Sequence, residues 1–452
     1  MRRVIRRAGN KETAMRTSSI VLALIVCLSV AASGRPANGE EKEADFSGKW
    51  RTSFGVMTLE QEGDRVDGYY VMQGVRCLIN GKVAGRTLTF KYREPMTAGE
   101  GTFKLSDDGK SFAGRWRQDG SPSFADWVGT RPEERPPTFA GLWNSTYGLM
   151  RLHVKGRRVQ GVYSYGGGGT VNGELSEDGK TLKFRYRDEV SGSGAFKLSD
   201  DGARLDGKWA PDGATSQSDW RARKVEPVEG RRWLVVLEAR WEANLTEREY
   251  SFGEMLRAFF DRAAHIQTRH RFFSNAESLQ RRCQELAFLP EPAVLVIASH
   301  GDTKGLLVDG KLIPYSALIE GLQHAGDLDL IHFSSCQIMK GAGAEQFQEK
   351  LARPAPISGY QTSVDWALSA VLEFTYLDMI MVRGLTPPQA AAQLLKNVPI
   401  AGSRPIPGGV LPPAAFRLRM PPAAEKDEPQ ADEKKDKKKD DKKPEKSKPA
   451  AG

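Results

Sequence analysis

Cysteine is scarce: Cys27, Cys77, Cys283 and Cys336 are the only four in 452 residues. That excludes a small fold stapled by disulfides, and each thiol needs its own account. Between these cysteines and the six histidines there is no Cys-x-x-Cys, His-x-His or His-x-x-x-His spacing, so no metal site is expected. No phosphate-cradling loop follows a strand either, because the glycines at 166–169 lie between β-like runs with no helix after them. Long apolar stretches are missing too: mean hydropathy is −0.48, which excludes a multi-span membrane protein. Charge of one sign is only mildly in excess, 66 basic against 57 acidic residues for a net +9, and this gives no ground for a nucleic-acid partner.

The ends of the chain differ from its body. Residues 1–19 carry Arg2, Arg3, Arg6, Arg7, Lys11 and Arg16, followed by an apolar stretch of eleven residues at 20–30 and by Ala31, Ala32, Ser33 and Gly34. A spanning helix needs about 20 apolar residues, so residues 1–34 read as a cleaved signal peptide that takes Cys27 with it. An exported protein, periplasmic or extracellular, with no integral membrane segment after cleavage is the expectation. At the other end, 425–448 holds ten Lys against nine Asp plus Glu and almost nothing apolar. Residues 422–452 therefore read as a disordered polyampholyte tail.

Between these ends the sequence repeats itself at a shift of 93 positions. Phe46, Gly48 and Trp50 recur as Phe139, Gly141 and Trp143; the run Phe103 to Gly109 recurs identically as Phe196 to Gly202; Trp116 and Trp127 recur as Trp209 and Trp220. Alternating runs such as 87–92 and 181–186 are punctuated by Asp-Gly turns, so 45–132 and 138–224 read as two antiparallel β units. Each either closes into a barrel or packs on its copy. Trp50, Trp143, Tyr70 and Tyr163 could build a glycan-binding surface or fill cores, and recurrence at equivalent positions favours cores.

After 225–230 the pattern changes to alternating strands and helices: strands at 233–237, 270–273, 293–298, 328–333 and 356–359, helices at 252–266, 276–288, 314–324, 344–352, 366–381 and 387–396. Such alternation implies a mostly parallel sheet covered by helices. In such sheets reactive groups gather at the carboxyl ends of strands. One strand runs into Ser299-His300-Gly301-Asp302 and the next into Ser334-Ser335-Cys336-Gln337. An imidazole beside a thiol can deprotonate it and later protonate a leaving amine, which suits His300 as base and Cys336 as nucleophile. The backbone N–H groups of Gly301 and Cys336 could hold an oxyanion. Cys283 falls on the apolar face of a helix and Cys77 has no counterpart in the second repeat, so both read as buried free thiols; His332 and His324 read as structural.

On these residues the segment 231–416 resembles the caspase-like cysteine peptidase clan, most closely its bacterial CHAT-type members, where a hydrophobic strand ends in His-Gly and the next in a small residue followed by Cys. The resemblance implies a caspase-like α/β unit with a mostly parallel sheet; the β repeats lie outside it, so the chain reads as multidomain, two antiparallel β meander or barrel repeats followed by that unit. The resemblance also implies a cysteine endopeptidase acting on polypeptide through a thioester, with no cofactor. In relatives that cleave after Arg or Lys an acidic residue lines the specificity pocket, and Asp365 is the nearest match, a helix N-terminal Asp being the alternative. The chain departs from the pattern in having Ser335 rather than Ala before Cys336, and Gly341 as its next glycine. A binding scaffold carrying an inactive peptidase-like unit is the competing expectation.

Overall fold

The computed structural model describes residues 44–422 except 73, 74, 133–135, 243, 245, 408, 410 and 411. The expected signal peptide, with Cys27, and the polyampholyte tail lie outside the described residues, apart from Pro422. Among the described residues no helix is long and apolar enough to cross a membrane.

The choice that sequence left open for the β units is resolved by closure. Eight strands from Gly48–Thr52 to Ala125–Thr130 pair consecutively and antiparallel, and the last returns to the first through Arg51 opposite Thr130 and Thr52 opposite Gly129. Eight more, from Gly141–Ser145 to Ser218–Lys224, form a second closed barrel, with Ala222 opposite Ser145. Alternation drives this: in Thr87–Arg93 the residues Leu88, Phe90 and Tyr92 point inward while the lysine and arginine point out. Closure removes the unpaired edges that an open eight-stranded sheet would expose.

The interiors are filled. Trp127 sits at the centre of the first barrel, with Phe54, Tyr70, Phe90 and Phe103 edge-on to it at centroid distances of 4.9–5.7 Å. Trp220 occupies the equivalent place in the second. Trp50 donates its indole N–H to Phe46 O and Trp143 to Phe139 O, both at 2.8 Å. Trp50, Trp143, Tyr70 and Tyr163 are all buried, so they are packing residues and offer no surface to a glycan.

The remaining segment forms a six-stranded sheet in the order Ile266–Phe273, Arg232–Ala239, Ala293–Ala298, Leu328–Ser334, Ile357–Tyr360, Phe416–Arg419. All neighbours are parallel except the last, antiparallel pair. The central strand Ala293–Ala298 is buried on both faces. Val294, Val296 and Ala298 join one apolar core, with the Trp366–Met381 helix, and Leu295 and Ile297 join the other, with the Tyr315–Leu322 helix. Several elements differ from the sequence pattern, among them the short three-stranded sheet within 300–313. The helix expected over 252–266 stops at Phe260, because Ile266–Phe273 pairs in register with all eight residues of Arg232–Ala239. That pairing also extends the strand expected at 270–273, tertiary pairing overriding helical periodicity. The edge strand Phe416–Arg419, only four residues long, left no recognisable signal.

The second barrel rests on the α/β unit. Arg151 donates to Ala287 O at 2.8 Å and Leu289 O at 2.6 Å, satisfying carbonyls at the end of a 3₁₀ turn. Beside it the His153 ring stacks on His324 at 5.9 Å.

Candidate active site

Three parallel strands end in one row: Glu238 pairs with Ala298, and Ala298 with Ser334. Past that row the strands diverge, and each delivers a side chain to the same place, Trp241 three residues on from the first, His300 and Cys336 two residues on from the others. These three, with Tyr250, Val364 and Trp366 among the other walls, line a cleft of about 140 Å³.

The thiol arm is built by the last strand and the loop that follows. Ser299 N–H donates to Ser334 O at 3.3 Å, the final link across the sheet, and Ser299 Oγ donates to His300 O at 2.7 Å. Cys336 is half-buried. Its Sγ donates to Val364 O at 3.7 Å and accepts from Val364 N–H at 3.4 Å. Gln337 follows in the left-handed region, φ 56°, a conformation costing a non-glycine residue on the order of 1 kcal/mol. It is held there by Gln337 N–H donating to Thr362 O at 3.1 Å and Met339 N–H to Tyr360 O at 3.0 Å. Backbone strain of this kind persists only where surrounding structure enforces it.

His300 opens a short hairpin, His300–Asp302 with Gly305–Val308, which continues through Lys311–Ile313 into a three-stranded sheet. The second turn is Asp309-Gly310, both at positive φ (49° and 68°), the combination a two-residue hairpin demands. The His300 ring is exposed and stands edge-on to Trp241, centroids 5.2 Å apart at 83°. His300 and Cys336 thus share the cleft, while the thiol's hydrogen bonds among the described residues go to Val364. Gly301 closes against the thiol arm: a Cβ there would lie 3.0 Å from Cys336 O and from Ser335 Cβ. The close approach that this glycine permits is therefore made by the chain's own Ser335–Cys336 segment.

Asp365 stands outside the cleft lining. It caps the Trp366–Met381 helix, Oδ1 accepting from Ala367 N–H at 2.9 Å and Leu368 N–H at 3.2 Å. His332 is fully buried, with Nδ1 2.8 Å from Ser358 Oγ and Nε2 3.3 Å from Glu373 Oε1, and His324 faces the second barrel. Neither lines the cleft. Cys77 and Cys283 are buried free thiols, and burial pushes both pKa values up.

The Glu238 side chain was not foreseen. It is fully buried; Oε1 accepts from Trp241 Nε1 at 2.6 Å and Phe252 N–H at 2.8 Å, and Oε2 from Ser251 Oγ at 2.6 Å and Gly253 N–H at 3.0 Å. His270 Nε2 lies 2.8 Å from Oε2. Burial alone would raise this carboxyl's pKa, but His270, Ser251, Trp241 and the Gly253 N–H outweigh it and hold it below the usual range. The sequence signal was available: Glu238 and Trp241 mark a third strand end beside the two that carry His300 and Cys336.

No family model matches this chain, and no curated protein matches it. Among solved structures it is similar to a secreted C11 cysteine protease from Bacteroides thetaiotaomicron in complex with an irreversible peptide inhibitor, at 13% identity over 42% of this chain and 66% of that one, TM-score 0.30. It is also similar to caspase-1 from Spodoptera frugiperda, at 9% identity over 42% of this chain and 86% of that one, TM-score 0.31. The matched part spans just under two thirds of the Bacteroides protein.

Proposed function

We propose that the protein is an exported caspase-like cysteine endopeptidase. The observation that carries this reading is the convergence of His300 and Cys336 on one cleft from the ends of adjacent parallel strands. Export rests on the basic and then apolar leader alone.

In this mechanism the His300 imidazole takes the Cys336 proton and the thiolate attacks the scissile carbonyl carbon. The developing oxyanion is held by the N–H groups of Gly301 and Cys336. Collapse of the tetrahedral adduct breaks the C–N bond, and the imidazolium proton passes to the leaving amine, leaving a thioester on Cys336. Water, deprotonated by His300, then attacks the thioester carbon; the C–S bond breaks, releasing a carboxylate and restoring the thiol. For the first step Cys336 Sγ exchanges its Val364 contacts for one with His300, a tightening common when substrate enters such sites.

Those same Val364 hydrogen bonds favour a second reading, a binding protein whose peptidase-like unit is inert. Iodoacetamide separates the two. Catalysis predicts that Cys336 is alkylated far faster than Cys77 and Cys283, with a rate that His300→Ala lowers. Indifference to His300 would favour the inert reading, since Cys77 and Cys283 are buried and react slowly on either one.

A further inference from the structure

We infer that the cleft beside Cys336 is a specificity pocket for an uncharged apolar side chain, large aliphatic or aromatic, on the residue whose carbonyl Cys336 attacks; this rests on the cysteine-peptidase reading. One side of the cleft is apolar, made by Trp241, Tyr250, Phe252, Val364 and Trp366; Ser299, Ser334, Ser335 and Ser369 lie on the lining with His300 and Cys336. Trp241 stacks on Tyr250 at 6.3 Å and 13°, and Tyr250 stands edge-on to Trp366 at 5.3 Å and 76°. Trp241 in turn touches the His300 ring. Tyr250 and Trp366 remain 45% and 36% exposed and lie in edge-to-face contact, so the wall presents a joined aromatic surface rather than scattered single side chains. Val364, which holds the Cys336 thiol, forms part of the same wall, so a side chain seated here belongs to the residue adjoining the sulfur.

The wall is also fixed before any substrate arrives. The Trp241 indole N–H is tied to the Glu238 carboxylate, itself buried and fully engaged, so the ring cannot swing away without leaving a buried acceptor short of a donor. A preformed apolar pocket binds an apolar side chain without the entropy cost of assembling itself.

Among the described residues no carboxylate lines the cleft, so a basic side chain finds no counter-charge in contact with it. The carboxylates around the walls lie outside the lining: Asp365 caps the helix, Glu238 is held by its four donors behind Trp241, and Glu242, next to Trp241 in sequence, accepts from Tyr250 N–H at 3.3 Å. A guanidinium or ammonium entering the cleft would shed water and gain the faces of Trp and Tyr rings and neutral serine groups, with no ion pair to offset the loss. An acidic side chain meets the same walls, with no arginine or lysine in the lining.

The test uses the intact purified protein and five peptidyl acyloxymethyl ketones identical except for Leu, Phe, Arg, Lys or Asp next to the reactive group, with iodoacetamide as a reagent that needs no pocket. Alkylation of Cys336 is followed by mass spectrometry. The Leu or Phe probe is expected to react at least about tenfold faster than the Arg, Lys and Asp probes, and Trp366→Ala to narrow that margin. A faster Arg or Lys probe, a flat ranking, or no reaction with any peptide probe while iodoacetamide alkylation stays His300-dependent overturns the pocket and spares the dyad. Iodoacetamide alkylation that ignores His300 overturns the peptidase reading, and the pocket with it.

Discussion

Replacing Glu238 by Gln keeps the shape of the side chain and removes its charge, in a place where the surroundings specify each oxygen. If the amide nitrogen takes the Oε1 position it faces the indole N–H of Trp241 and the N–H of Phe252, neither of which can reverse. In the Oε2 position it faces Ser251, whose hydroxyl can turn to accept, His270, whose ring can change tautomer, and the Gly253 N–H, which can do neither. The best arrangement therefore strands one buried N–H and weakens the charge-assisted bonds of the rest, a loss of about 3 kcal/mol. In a unit of this size each kcal/mol moves the midpoint by about 2–4 °C, so calorimetry at neutral pH should show Tm lowered by about 6–12 °C. The sign with pH follows from the depressed folded pKa. The wild type holds this contribution above the unfolded carboxyl value of 4.5 and loses it as pH falls through the lower folded value, so the gap between wild type and variant closes in acid. A midpoint within about 2 °C of wild type at neutral pH would refute the account of Glu238 as the anchor of Trp241.

Other outcomes follow from the same contacts. Burial, opposed by the His324 carbonyl and aided by the Arg353 charge, lowers the His153 pKa, and burial lowers that of His324. With both values lowered in the folded state, the unfolded chain takes up more protons, so their contribution is complete above about 6.5 and is lost as pH falls below it; amide exchange around 286–289 and 324–326 should accelerate in that window, and an unchanged pattern would sink the inference. Asp365→Ala should cost about 1 kcal/mol through the lost helix cap and leave the ranking of peptide probes as it was; a lost preference would return Asp365 to the specificity pocket. Gly253→Ala should destabilise the α/β unit, because the new Cβ would meet the His270 ring at 2.2 Å, and a wild-type midpoint would contradict that.

Much of this architecture is legible from local pattern alone. Ala293–Ala298 and Trp366–Met381 can be bounded to the residue, because one is an unbroken apolar run and the other follows an Asp cap with no glycine or proline for 16 residues. The alternation in Thr87–Arg93 shows which side chains face inward, but whether eight strands close depends on how the first meets the last, a long-range fact. In the site, His300 and Cys336 stand out because each directly follows a strand. The aromatic wall does not, since Tyr250 and Trp366 are brought to Trp241 by loops whose course is set by Glu238 and by the Asp365 cap. A buried glutamate at the end of an apolar strand is a signal that periodicity averages away.

The central claim is that Cys336 and His300 together break peptide bonds, and it is tested most directly by incubating a diverse peptide pool with wild type, Cys336→Ala and His300→Ala proteins whose circular dichroism is the same, and sequencing the products. The account predicts internal cleavage by the wild type alone, concentrated after apolar residues. Products in equal yield from Cys336→Ala, or none from any of the three, would contradict it.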